Sequence, residues 1–153
     1  MPDTGKVLGI DYGDANIGIA VSDINQDIAF PKITIKNISL YDLIAQIKNL
    51  CDDLGVVEIV VGMPVSMSGL KSPQTIKTEK FISELKKMLQ IPVYSHDERL
   101  TTKEVHVIFA SLDVTGTKEK RIKDEIAASL ILKNYLDLKR NKGKKGEARG
   151  AIK

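Results

Sequence analysis

Three apolar runs of strand length open the chain. Residues 6–12 (KVLGIDY) are largely apolar, a turn follows at Gly13–Asn16, and residues 17–22 (IGIAVS) are close enough to pair with them as a hairpin. After a second turn at Asn25–Asp27, residues 28–36 give a third strand, with Ile33 and Ile35 alternating with Thr34 and Lys36. Pro31 cannot donate to a ladder, so it predicts an edge position for that strand.

The period then changes from two to that of a helix. Leu43, Ile44, Ile47, Leu50, Cys51 and Leu54 form one apolar stripe over about three turns, and Gly55 ends it. Residues 56–62 (VVEIVVG) form a β-branched run of the kind found in buried parallel strands. Ser72-Pro73 marks a helix start, and Phe81, Ile82, Leu85, Met88 and Leu89 are its buried stripe. Residues 91–95 read as a fifth strand. Thr101 and Glu104 have capping-box spacing ahead of Val105, Ile108, Phe109 and Leu112. Residues 113–123 read as a polar, basic loop, and residues 124–138 as a last helix. The predicted fold is α/β: a mixed five-stranded sheet, three strands antiparallel and two parallel, flanked by helices.

Charge divides the chain. Residues 139–153 carry seven basic side chains against Glu147, a net of +6 in a chain whose total is +3, so the other 138 residues are net −3. This Gly- and Lys-rich end has no apolar period and is expected to be an unstructured tail beyond a domain of residues 1–138. It is either a solubilising end or an arm for nucleic-acid phosphates. An apolar fraction of 42% in 153 residues supports one core and argues against disorder. No apolar run has membrane-span length, and the opening lacks a secretory signal pattern, so a cytoplasmic protein is expected. Cys51 is the lone cysteine, which excludes a disulfide framework or Cys-rich zinc site, and it is expected to be a small core residue. Structural roles are likewise expected for His96 and His106.

Three carboxylates stand out. Asp11 lies inside an apolar strand, where a charge is costly unless compensated, although an Asp at a strand-turn junction can simply cap the turn. Glu98 follows the fifth strand, and ligands gather beyond the carboxyl ends of parallel strands. It could equally belong to an ordinary charged loop. Asp124 is placed to cap the last helix, and Ala127 and Ala128 one turn on would let that helix approach the sheet closely. Taken together, three such acids suit a site for Mg²⁺ or Mn²⁺, as two ions about 3.5–4 Å apart that stabilise the attacking and leaving oxygens of a phosphodiester. Lys118, Lys120, Arg121 and Lys123 crowd the segment before Asp124, as a solvated face or as a phosphate clamp.

Several segments together resemble the YqgF/RuvX family of bacterial proteins, within the RNase H-like superfamily. They are Gly9-Ile-Asp-Tyr-Gly13, Ile17-Gly-Ile-Ala-Val-Ser-Asp23, Val61-Gly-Met-Pro64, His96-Asp-Glu-Arg-Leu-Thr-Thr102 and Asp124-Glu-Ile-Ala-Ala128. The resemblance runs to about Leu138. It implies a metal-dependent nuclease that matures the 5′ end of the 16S ribosomal RNA precursor, or a Holliday-junction resolvase acting on branched DNA. By matching motif, Asp11, Glu98 and Asp124 would form the catalytic and metal-binding triad, with Arg99 and Thr101 beside it. Arg99 could hold a phosphate through two parallel hydrogen bonds or pair with a nearby acid. Two positions depart from the family's pattern: Asn16 and Asp14 stand in a turn that commonly carries a basic residue, and Ser68-Gly69 replaces an Asp-Gly. Two other functions are compatible with the sequence. A binding protein without catalysis would use the basic segment and tail. An actin-like kinase would need two such domains around its nucleotide, and this chain has the length of one.

Overall fold

The computed structural model describes residues 4–64, 70–97 and 117–152, with side chains described over 4–64, 70–97 and 122–142. The first apolar runs form β1 (Lys6–Tyr12), β2 (Asn16–Ser22) and β3 (Ala29–Lys36). The helical stripe forms α1 (Leu40–Leu54), followed by β4 (Val56–Met63), α2 (Pro73–Met88), β5 (Val93–Asp97) and α3 (Thr117–Ile152). The sheet order is β3-β2-β1-β4-β5. The β1/β2 and β2/β3 pairs are antiparallel, and β1/β4 and β4/β5 are parallel. This is the mixed sheet that the strand spacing predicts. Pro31 lies on the edge strand as expected, and the register slips beside it, between Ile19 and Ala20 of the partner strand. The expected helix around Thr101–Leu112 falls outside the described residues.

Alternation along the strands splits the core in two. On one face Leu8, Ile10, Ile17, Ile19, Ile59 and Val61 meet the stripes of α1 and α2 (Leu43, Ile44, Ile47, Phe81, Leu85), all buried. Cys51 packs there too, and its surroundings push the thiol up to about 12, so it is an inert core residue. On the other face Val7, Ala20 and Val60 pack against Ala128, Leu132, Tyr135 and Leu136 of α3. His96 meets the edge of the Tyr135 ring at 6.2 Å, and burial lowers its pKa, as suits a packing histidine. Among the described residues no helix is long and apolar enough to cross a membrane.

The last helix departs from the sequence reading at both ends. It begins at Thr117, so residues 117–123 are helix and Asp124 stands inside it rather than capping it. Lys, Glu and Arg are good helix formers, and they continue the helix where no apolar stripe announces it. At the other end the helical backbone continues to Ile152, through the segment expected to be an unstructured tail. The two residues that follow Leu138 are tied to the body. Lys139 Nζ lies 2.9 Å from Glu58 Oε1 and Arg140 Nη2 lies 2.9 Å from Asp27 Oδ1.

Glu58 explains the first of those ties. It is the lone charge in the β4 run and is fully buried. A carboxylate there is tolerable only if paired and hydrogen-bonded. It accepts hydrogen bonds from the Tyr135 hydroxyl and from Lys139, and Lys139 also donates to Gln26 Oε1 at 2.9 Å. Burial and then the Glu58 hydrogen bond hold the Tyr135 hydroxyl well above the usual phenol range, so it remains a donor. Tyr135→Phe should therefore cost about 2 kcal/mol, the worth of a hydrogen bond to a charged group, read as a lower urea midpoint at unchanged slope.

Candidate active site

Two of the predicted acids meet at one end of the sheet. Asp11 is the sixth residue of β1, and its side chain shares the α3 face with Val7 and Gly9. Its cross-strand partner is Gly18. A Cβ at Gly18 would stand 2.0 Å from the Asp124 carbonyl oxygen, and one at Gly9 would stand 2.7 Å from Leu132 Cβ. Neither distance is compatible with a side chain, so these glycines let the α3 backbone lie directly on β1 and β2. Ala128, one turn beyond Asp124, is fully buried in the same contact. Small residues on both surfaces thus carry Asp124 to the side of Asp11.

The electrostatics follow from that approach. Burial, and then the Asp124 carboxylate, push Asp11 up to about 6. Asp124 is also raised, by burial first and then by Glu125, with the Lys123 ammonium opposing the shift. Glu125 points toward the edge of the sheet, where its Oε1 accepts a hydrogen bond from Thr34 Oγ1 at 3.3 Å. Two crowded, partly desolvated carboxylates that resist ionisation are a donor set suited to a hard divalent cation, whose charge reverses that resistance.

The second face of the sheet frames the same end. The Tyr12 ring stacks on Phe81 with centroids 4.4 Å apart, and Gln74 Nε2 donates to the Tyr12 carbonyl at 3.0 Å. Thr75 Oγ1 donates to the Pro64 carbonyl at 2.8 Å, so the first turns of α2 cover the ends of β1 and β4. Asn37 Nδ2 donates to the Gly13 carbonyl at 3.0 Å and fixes the β1–β2 turn from the β3 side.

Of the other predicted residues, Lys123 lies half-buried next to Asp124 on α3. Lys118, Lys120 and Arg121 belong to the opening turns of α3 in backbone, not to a loop, and their side chains are outside the described residues. Glu98, Arg99 and Thr101 also lie outside them; β5 ends at Asp97, the residue before Glu98. Among the described residues no three acidic, histidine or cysteine side chains are grouped so that they could hold a metal ion. Sequence reasoning missed the glycine contacts, the Thr34–Glu125 bond and Glu58. Only Glu58 had a visible signal, a carboxylate in the middle of a β-branched run.

A family model described as "RuvX: Holliday junction resolvase" matches residues 5–138. The chain belongs to the RuvX family. A protein of Thermoanaerobacter pseudethanolicus named "Putative pre-16S rRNA nuclease" is 40% identical over 138 residues, covering 90% of this chain and 99% of that relative. One of Chloroflexus aggregans with the same name is 40% identical over 135 residues, covering 88% and 95%. Among solved structures, Thermus thermophilus RuvC in complex with a Holliday junction superposes with a TM-score of 0.58 at 13% identity, covering 89% of this chain and 96% of RuvC. At that identity the likeness concerns the fold, which is RNase H-like. With membership of RuvX comes the reaction class: the chain is a phosphodiester-hydrolysing enzyme that binds nucleic acid.

Proposed function

We propose that this RuvX-family enzyme cleaves a precursor of 16S ribosomal RNA in a divalent-metal-dependent reaction, with Asp11, Asp124 and Glu98 as its metal-binding acids. The juxtaposition of Asp11 and Asp124 across Gly18 carries the reading, and the names of the relatives supply the substrate. Mg²⁺ or Mn²⁺ held by these carboxylates would supply Lewis acidity and neutralise charge on the phosphoryl oxygens. The chain itself contributes position. The sheet holds Asp11 and the glycine-seated helix holds Asp124, both on regular elements that fix geometry better than loops do. Lys123, beside Asp124, adds positive charge where the phosphate backbone must approach.

The test compares a pre-16S fragment, an unrelated single strand and a four-way DNA junction at fixed salt, in Mg²⁺, Mn²⁺ or EDTA. Cleavage of the pre-16S fragment only with metal, lost in Asp124→Asn, is the expected result. Equal cleavage by wild type and Asp124→Asn would remove these acids from the reaction. The family's description as a resolvase favours a second reading, branched DNA as substrate. Preferential cleavage of the junction would establish it.

A further inference from the structure

We propose that Lys77 of α2 binds a substrate phosphate next to the reacting one, and that Asp14 holds its ammonium at the rim of the site while weakening that binding. The inference rests on the nuclease reading above and concerns the bank of the site opposite α3. Gln74 and Lys77 are three residues apart, so they project from the same face of α2. Both reach the end of β1: Gln74 takes the Tyr12 carbonyl, and Lys77 Nζ lies 3.0 Å from Asp14 Oδ1. Asp14 follows Asp11 by three residues, a Cα span of at most about 11 Å. The turn that bears it is fixed by Asn37, both through the Gly13 carbonyl and through the Asn37 amide, which donates to the Ala15 carbonyl at 2.9 Å. Lys77 therefore stands beside the turn that follows β1, at the end of the sheet that carries Asp11.

Stability gives little reason for this pair. The side chains are 55% and 64% exposed, and ion pairs in that setting contribute almost nothing to folding. For the same reason the ammonium is easily shared with a phosphate. Lys123 lies on the α3 side of the sheet and Lys77 on the α2 side, so a strand crossing the end of β1 passes between two cations. Asp14 is an acid at the mouth of a polyanion site and opposes binding unless its charge is offset.

The test uses the full chain in EDTA, where binding is read without cleavage, and a fluorescent single-stranded RNA titrated across salt concentrations. Lys77→Gln should weaken binding several-fold at low salt and lower the slope of log K against log salt by about 0.7, one phosphate on a single strand. Lys77→Arg should restore both. Asp14→Asn should tighten binding, and all three variants should melt with the wild type. Wild-type affinity and slope in Lys77→Gln, or no RNA binding by the wild type, would overturn the proposal. Cleavage in Mg²⁺ separates the two readings: intact cleavage with an indifferent Lys77 removes only the phosphate contact, whereas a Lys77-dependent binder that never cleaves removes only the nuclease reading.

Discussion

Asp11→Asn is expected to abolish cleavage and yet stabilise the metal-free protein at neutral pH. Asp11 is raised to about 6 by burial and by Asp124. In the unfolded chain it titrates near 3.8, the ordinary value for an aspartate. Between those values the folded state binds more protons than the unfolded state. Stability therefore falls as pH rises from about 4 to about 6 and stays lower above that window. The difference between 3.8 and about 6 corresponds to roughly 3 kcal/mol, and Asn carries no charge to lose. The variant should thus be more stable than wild type by up to about 3 kcal/mol at pH 8 in EDTA, with the difference vanishing below about pH 4. Urea midpoints at several pH values measure it. Parallel curves for the two proteins would mean that Asp11 carries no such penalty. On the proposed metal site, added Mg²⁺ should raise the midpoint of wild type, as a ligand of the folded state alone does, and leave Asp11→Asn nearly unmoved.

That penalty also bears on how far the site was readable beforehand. Asp11 was conspicuous because a carboxylate interrupts an apolar strand, and the same burial that makes it conspicuous raises its pKa. The strands were legible because β-branched runs and close turns are local signals, and Pro31 marked the edge. The start of α3 was not, because residues 117–123 are charged helix formers without an apolar stripe. Composition alone places Lys139 in a tail, whereas its position is set by Glu58, 81 residues away. Composition describes what a segment can do alone, and a buried carboxylate elsewhere changes the outcome. The same holds for Asp124. Ala127 and Ala128 announced a close approach, but that it falls on Gly18, directly across from Asp11, emerges only from the β1–β2 register.

Gly18→Ala tests that arrangement. The added methyl would meet the carbonyl oxygen of Asp124 at 2.0 Å and its carbon at 2.4 Å. Both are helix backbone atoms, so no rotamer change relieves the clash and α3 must lift or slide. Overpacking of this kind should cost about 3 kcal/mol. The displacement falls on Asp124, the proposed partner of Asp11, and misplacing a catalytic group by about 1 Å can lower a rate by roughly 100-fold. Tyr135→Phe is the informative comparison, because it loosens the same helix three turns away at the Glu58 contact. Assayed well below both melting temperatures, Gly18→Ala should lose cleavage and the Mg²⁺-dependent rise in midpoint, while Tyr135→Phe keeps both. If the two variants lost activity in proportion to stability, general loosening of α3 would account for the result. If Gly18→Ala kept full activity, close seating of the helix on β2 would not be what aligns the acids.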